Sequence, residues 1–336
     1  MLHPRANPIL RGHEAAEAQF VEAFTFGRMP HAWLITGPVG VGKATLAYRV
    51  ARRLLARAGE GLAVDADHPV FRRVAAGSHA DLIAIERAYD EKRKRVRSVI
   101  QVEEIRRLTS FLRLTPVEGG WRVAIVDGAE DLNQSAANAL LKVLEEPPPR
   151  TVLLLIAEAP GRLLPTIRSR CRQLRLRPLD PAAVAEVLGI YGRELKPEQR
   201  DQLAALSEGA PGRALVLAEG EGLRLAQLAD EILAESPVLD PRRWYQVADA
   251  VGRAEDAFPM FIALLRGGLA AAVRAAAGGE ADKVQRRLAS LRPLEAWSSV
   301  WQALGELEDE TTRLNLDKRL ATLQALELLA GNGSNG

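Results

Sequence analysis

The chain has 336 residues, of which 47% are hydrophobic and 26% charged, and its formal net charge is +2. This composition is ordinary for a globular protein of two or three domains, and the charge is too balanced to imply nucleic-acid binding by electrostatics alone. Cys171 is the single cysteine, which excludes an intrachain disulfide and a four-cysteine zinc site and fits a cytosolic protein. We expect neither a secretory signal nor a membrane span, because no uncharged stretch reaches ~18 residues.

Short apolar runs alternate with helical patterns through the first half of the chain. Residues 32–36 predict a buried strand that leads into a glycine-rich turn, and residues 43–57 predict a helix. Residues 122–126 predict a second buried strand, residues 134–146 a helix that stops before three prolines, and residues 152–156 a third strand. Strands that alternate with helices favour an α/β domain with a mostly parallel sheet.

The second half of the chain is helical in pattern, and the strand signal fades after Pro178. We therefore predict an α/β domain over residues 1–178, a small helical lid over residues 179–222 and an all-helical domain over residues 223–330. The glycine- and asparagine-rich residues 331–336 are predicted to be a disordered tail.

The segment from Gly37 to Lys43 has the spacing G-x-x-x-x-G-K, with Gly40 and Gly42 inside it. It follows a predicted strand and opens a predicted helix, which is the context that identifies a phosphate-binding loop. Backbone N–H groups, the helix amino terminus and the Lys43 ammonium would then face phosphate oxygens. The alternative is a glycine-rich turn without a ligand, which the flanking strand and helix disfavour.

The residues that should bind Mg²⁺ depart from the pattern of a working phosphate loop. Ala44 stands where such a loop carries a serine or threonine hydroxyl for the metal. Thr45 is one residue late, which is a rotation of about 100° on a helix, so we expect its hydroxyl to point elsewhere. Asp127 ends the second predicted strand; a carboxylate there would orient Mg²⁺ through water, or cap the next segment, or do both. Gly128 follows, where many such ATPases carry a water-activating glutamate, and Glu130 comes later.

Two segments behind the phosphate loop carry a specific resemblance to a known family. Residues 133–148 read NQSAANALLKVLEEPP, and the tripeptide SRC at residues 169–171 follows LPTIR at residues 164–168. In this order they resemble the clamp-loader subunits of bacterial DNA polymerase III, which are AAA+ proteins. The resemblance covers most of residues 1–215. It implies a P-loop (RecA-like AAA+) domain, a helical lid and an all-α C-terminal collar that joins partner subunits.

Within this family the choice lies between the ATP-hydrolysing gamma/tau type and the delta-prime type. Ala44 and Gly128 depart from the hydrolysing type at the metal-binding and water-activating positions. Ala157-Glu158 replaces the small polar residue that would sense the γ-phosphate, and Arg213 is one place off the register of the nucleotide-sensing arginine. Losing one charge-stabilising group can cost ~10³-fold in phosphoryl transfer. These four departures favour the delta-prime type, with a degenerate site for ATP or ADP that hydrolyses little by itself.

The resemblance implies that Arg170 is an arginine finger that reaches into the ATP site of a neighbouring gamma/tau subunit. An arginine provided in trans stabilises charge on the transferring phosphoryl group and can contribute ~10³–10⁵ in rate. The alternative is that Arg170 is one of several surface arginines. Cys171 beside it is interpreted as a packed small apolar residue rather than a nucleophile.

The family resemblance also implies a hetero-oligomer with gamma/tau and delta subunits that loads the sliding clamp onto primed DNA in the cytoplasm, with no membrane. Two alternatives remain: a gamma/tau-like subunit that itself hydrolyses ATP, and an ATPase-fold protein that forms homo-oligomeric rings. His68 and His79 stand where many relatives carry a four-cysteine zinc module. Two histidines are a weak metal signal, so we expect no zinc.

Overall fold

The computed structural model describes residues 3–57, 61–90, 95–191, 194–236, 240–254, 256–276 and 283–331. The chain separates into two compact units, residues 1–215 and 216–336. The lid and collar boundaries stay predictions, and residues 332–336 of the predicted tail lie outside the described residues.

The strands all lie in the first unit as far as the described residues go: β1 (Ala32–Thr36), β2 (Leu82–Ile85), β3 (Tyr89–Asp90), β4 (Arg95–Val96), β5 (Arg122–Asp127), β6 (Thr151–Ala157) and β7 (Arg172–Arg175). One sheet has the order β2-β5-β6-β1-β7, and each of its pairings is parallel. β3 and β4 form a separate antiparallel ribbon. The phosphate-loop strand β1 thus lies inside a five-stranded parallel sheet, as in a P-loop AAA+ domain.

The first unit also contains the helices α1 (Glu14–Thr25), α2 (Lys43–Ala56), α3 (Pro69–Ala75), α4 (Val102–Arg113), α5 (Gln134–Glu145), α6 (Pro165–Arg168), α7 (Pro181–Tyr191), α8 (Pro197–Leu206) and the start of α9 (Pro211–Ala218). The second unit is helical through its described residues: α10 (Gly222–Glu235), α11 (Pro241–Val251), α12 (Ala257–Ala276), α13 (Lys283–Leu291), α14 (Leu294–Leu314) and α15 (Lys318–Ala330).

The sheet has an apolar core on each face. Trp33 of β1 is fully buried and its ring centroid lies 4.0 Å from that of Phe20 on α1. The neighbouring residue Leu34 faces the opposite side, where it packs in a cluster with Ile105 of α4 and Leu140 of α5. Burial on both faces explains why β1, β5 and β6 are continuous apolar runs rather than alternating ones. The α/β prediction is therefore confirmed.

Among the described helices, α12 contains one window, Ala257–Arg274, that is long enough and apolar enough to cross a membrane. The core helix of a globular domain passes the same test, and 44% of this window is buried inside the structure. Arg266, near the middle of the window, lies over the Trp301 ring of α14 at 3.9 Å. The helix is thus packed against its own unit, and the window is weak evidence for a membrane span.

Candidate nucleotide site and arginine surface

The predicted phosphate loop connects β1 to α2 at the carboxyl edge of the sheet. Gly40 and Gly42 have φ values of 75° and 111°, a region that favours glycine. Gly42 is also the N-cap of α2, and no side chain caps the helix there. The loop backbone and the uncapped helix start have the form of an anion cradle.

Lys43 is folded back onto this loop. Its Nζ donates hydrogen bonds to the carbonyl oxygens of Gly37, at 2.8 Å, and Pro38, at 2.7 Å. The same ammonium lies 3.6 Å from Glu158 Oε1, and the Lys43 side chain is only 6% exposed. Burial lowers the pKa of Lys43, while the nearby carboxylates of Glu158 and Asp127 oppose that shift. The Lys43 ammonium, which would bind phosphate, is therefore already surrounded by two carbonyls and a carboxylate of its own chain.

The start of α9 meets the phosphate loop through the backbone. The Gly212 N–H donates to the Gly40 carbonyl at 2.8 Å. A Cβ added to Gly40 would lie 2.8 Å from the Arg213 nitrogen, and one added to Gly212 would lie 2.9 Å from the Gly40 Cα. Both positions therefore depend on glycine. The Arg213 side chain pairs with Glu208 at 2.8 Å, so its backbone contacts the loop while its guanidinium is engaged within the predicted lid.

The residues around the metal position fit Mg²⁺ poorly. Ala44 has no hydroxyl, and Thr45 is buried one position further along α2. Asp127 ends β5 as predicted, and burial raises its pKa to about 6, with Lys43 opposing the rise. A carboxyl group that is harder to ionise is a weaker ligand for a divalent cation.

Asp127 does not cap the turn that follows it. The short 3₁₀ helix Ala129–Asp131 has Gly128 as its N-cap, at φ 78°, and no side chain caps it. The capping alternative for Asp127 is therefore excluded for this turn.

Glu130 is a site residue that sequence reasoning did not assign. Its Oε1 accepts hydrogen bonds from the backbone nitrogens of Glu158, at 2.7 Å, and Ala159, at 3.2 Å. This contact holds the turn after β6, and so fixes the backbone of Glu158, the residue that pairs with Lys43.

A cavity of about 520 Å³ lies beside Glu130 and Glu158. Its lining also includes the carboxylates of Glu86, Asp127 and Asp131, together with Arg87. An acidic lining of this kind repels anionic phosphate.

Arg170 lies on a different part of the first unit, directly after α6. Its side chain is 36% exposed, its Nη2 donates to Glu145 Oε1 at 2.8 Å and its Nη1 donates to the Thr166 carbonyl at 3.0 Å. Cys171 beside it is 8% exposed, and burial raises the pKa of its thiol to about 12. Cys171 is therefore a packed residue, while Arg170 presents a charged group to solvent.

The two histidines considered for zinc have local structural contacts. His68 Nδ1 accepts from the Val70 nitrogen and caps α3, and His79 Nδ1 accepts from the Asp81 nitrogen, each at 3.1 Å. Within the described ranges, no group of three or more histidine, cysteine, aspartate or glutamate side chains is arranged to hold a metal ion. The expectation of no zinc stays a prediction.

Comparison with known proteins finds relatives that are subunits of DNA polymerase III. The family described as "DNA polymerase III, delta subunit" matches residues 12–180. DNA polymerase III subunit delta' of Pseudomonas aeruginosa is 40% identical over 194 residues, which are 58% of this chain and 57% of that protein. The subunit delta' of Escherichia coli K12 is 34% identical over 235 residues, covering 69% of this chain and 67% of that protein. DNA polymerase III subunit tau of Salmonella typhimurium is 32% identical over 202 residues, covering 60% of this chain and 30% of that protein. The chain thus matches little more than half the length of the Pseudomonas protein.

Proposed function

This chain belongs to the DNA polymerase III delta-prime family, and from that premise we propose that it is a clamp-loader subunit that hydrolyses little or no ATP itself. It acts within a hetero-oligomer with gamma/tau and delta subunits, in the cytoplasm, and helps to place a sliding clamp on primed DNA. The helices of the second unit form the collar through which it joins those partners, and the start of α9 belongs to the lid.

The chain's own nucleotide site supports a degenerate role. Lys43 is held by two loop carbonyls and lies 3.6 Å from the Glu158 carboxylate. Ala44 lacks the hydroxyl that would bind the metal, and Gly128 lacks the carboxylate that would activate water. A site without these groups binds ATP or ADP weakly and contributes little to phosphoryl transfer.

The main support for the proposal is the difference in exposure between the Lys43 ammonium and the Arg170 guanidinium. The Lys43 ammonium is turned inward onto its own chain, whereas Arg170 is 36% exposed at the end of the segment that resembles clamp loaders. The planar fork of an arginine suits phosphate oxygens. We therefore assign Arg170 as an arginine finger that stabilises the transition state in a neighbouring gamma/tau site.

One observation favours a second candidate, a gamma/tau-like subunit that hydrolyses ATP. The G-x-x-x-x-G-K loop is complete through Lys43, with the positive φ values at Gly40 and Gly42 that a phosphate cradle needs. Mg²⁺-dependent turnover by the isolated chain would support this candidate. A homo-oligomeric ring, the third possibility, is tested by the mass of the isolated chain in solution.

The test is ATP hydrolysis by the isolated chain and by a clamp loader reconstituted with Arg170→Ala in this subunit. We expect an inert isolated chain. We also expect an assembled complex whose clamp- and DNA-stimulated rate falls at least ~10-fold, since an arginine finger can contribute ~10³ or more at each site it serves and other sites keep their own. Arg175→Ala, at an exposed arginine on β7, is the matched control and should leave the rate unchanged. Turnover by the isolated chain together with an unaffected Arg170→Ala complex would overturn the proposal.

A further inference from the structure

The Arg170 guanidinium is held by its own chain at two of its nitrogens. Nη2 donates to Glu145 Oε1 at 2.8 Å, and Nη1 donates to the Thr166 carbonyl at 3.0 Å. Glu145 is the last residue of α5, and Thr166 lies in α6. One partner 25 residues away and one partner four residues away therefore define one orientation of the side chain.

Both partners lie on firmly packed elements. α5 buries Leu140 and Leu144 against one face of the sheet, and α6 buries Ile167 in the same apolar cluster. The Arg170 N–H itself donates to the Ile167 carbonyl at 3.2 Å. The carboxylate and the carbonyl that receive the guanidinium are thus fixed relative to the Arg170 backbone.

We propose that Glu145 is a positioning residue for Arg170, holding its guanidinium ready for the phosphate of a neighbouring subunit; this inference rests on the proposed function of Arg170. A guanidinium has five N–H donors, and the two contacts leave three for another ligand. Glu145 therefore orients the fork without using up its capacity to bind phosphate oxygens. Groups fixed in this way before the reaction lower the reorganisation needed in the transition state.

The strength of the pair suits this role. The Arg170 and Glu145 side chains are 36% and 50% exposed. An ion pair at that exposure is weak, so it restricts rotamers without locking the arginine away from a stronger ligand. Glu146 is an adjacent, exposed glutamate for which the structure shows no ion pair with Arg170, which makes it the matched control for charge and location.

The experiment compares Glu145→Gln and Glu146→Gln in the reconstituted clamp loader, each with Arg170 and with Arg170→Ala. The measurements are kcat and KM for clamp- and DNA-stimulated ATP hydrolysis, with complex assembly checked by gel filtration. We expect Glu145→Gln to lower kcat about threefold to fivefold, the rate equivalent of an exposed ion pair, with KM unchanged. Glu146→Gln should have no effect, and Glu145→Gln should add nothing once Arg170 is alanine.

The outcomes separate this inference from the function on which it rests. If Arg170→Ala has no effect on the rate, the arginine finger and the positioning role both fail. If Arg170→Ala lowers the rate but Glu145→Gln leaves it unchanged or raises it, the positioning role alone fails. An equal loss from Glu145→Gln in both backgrounds would show a general structural effect, which also overturns the positioning role.

Discussion

Lys43 and Arg170 are cations on the same compact unit, and they differ in how far each side chain is exposed to solvent. Lys43 is 6% exposed and has two carbonyls and a carboxylate of its own chain around it. Arg170 is 36% exposed, and its guanidinium contacts one carboxylate and one carbonyl of its own chain while the rest of it faces solvent. A buried charge needs partners within the protein, whereas a surface charge keeps water as an alternative partner. A phosphate-loop motif can thus keep its backbone form while the charge of its lysine is neutralised by contacts within the fold.

The two regions also differ in how tightly their backbones are enclosed. Gly40 of the phosphate loop touches the start of α9 through backbone atoms, with a hydrogen bond from Gly212 at 2.8 Å. Arg170 follows a four-residue helix and faces outward. Substitutions in the loop should therefore affect folding, while substitutions at Arg170 should affect function alone.

The largest effect on stability should come from Gly40→Ala. The substitution places a Cβ at φ 75° and 2.8 Å from the Arg213 nitrogen, where backbone must move. We expect the free energy of unfolding to fall by ~2–4 kcal/mol, measured by urea denaturation followed by circular dichroism. Gly61→Ala is the control, because Gly61 has φ 65° but no atom within 4 Å of the added Cβ, and it should cost only about 1 kcal/mol. Equal losses at the two positions would contradict the close contact between the loop and α9.

A smaller, pH-dependent effect is expected for Asp127→Asn. Burial raises the pKa of Asp127 to about 6 from 3.8. Because the folded-state pKa is the higher one, the contribution of this carboxyl group to stability is complete below pH ~4 and is lost as pH rises through ~6. Asparagine cannot ionise, so the variant should be more stable than the wild type by ~2–3 kcal/mol at pH 8 and by well under ~1 kcal/mol at pH 4.

Urea denaturation across this pH range measures the difference. Asp201→Asn, at an exposed carboxylate of α8, serves as the control for removing one negative charge from the surface. A gain for Asp127→Asn that is the same at pH 4 and pH 8 would contradict the raised pKa.

The smallest effect is expected for nucleotide binding by Glu158→Ala. Removing this carboxylate frees Lys43 from its ion pair and takes negative charge from the place where phosphates would bind. We expect the affinity for a fluorescent ADP analogue, without Mg²⁺, to rise about fivefold, in line with an ion-pair energy near ~1 kcal/mol. Glu146→Ala should leave binding unchanged. Weaker or unaltered binding by Glu158→Ala would show that Glu158 does not compete with phosphate.

The strands that the sequence predicted are those whose residues are almost all apolar. β1, β5 and β6 are buried on both faces, so they are apolar throughout and are found within one residue of the predicted bounds. β7 was not predicted, because this edge strand reads Arg-Gln-Leu-Arg and only Leu174 is buried. β2 was missed for a related reason, since it is only partly buried along its length.

The sequence predicts the phosphate loop of the candidate site, but it does not predict the contacts between side chains that are far apart in sequence. The glycine spacing predicted the loop between β1 and α2, whereas the loss of metal-dependent chemistry, inferred from Ala44 and Gly128, stays a prediction. The pairing of Lys43 with Glu158 depends on two strands that are adjacent in the sheet but far apart in sequence. The contact between Glu145 and Arg170, 25 residues apart, depends likewise on how α5 and α6 pack. Single-sequence patterns carry no information on such pairs.

The most direct test of the account places one substitution in each region of the same complex. A clamp loader is reconstituted with Lys43→Ala or with Arg170→Ala in this chain, and clamp- and DNA-stimulated ATP hydrolysis is measured for both complexes at matched assembly. We expect an unchanged rate with Lys43→Ala and a loss of at least ~10-fold with Arg170→Ala. A large loss with Lys43→Ala and none with Arg170→Ala would contradict it, and would mean that this chain uses its own nucleotide site.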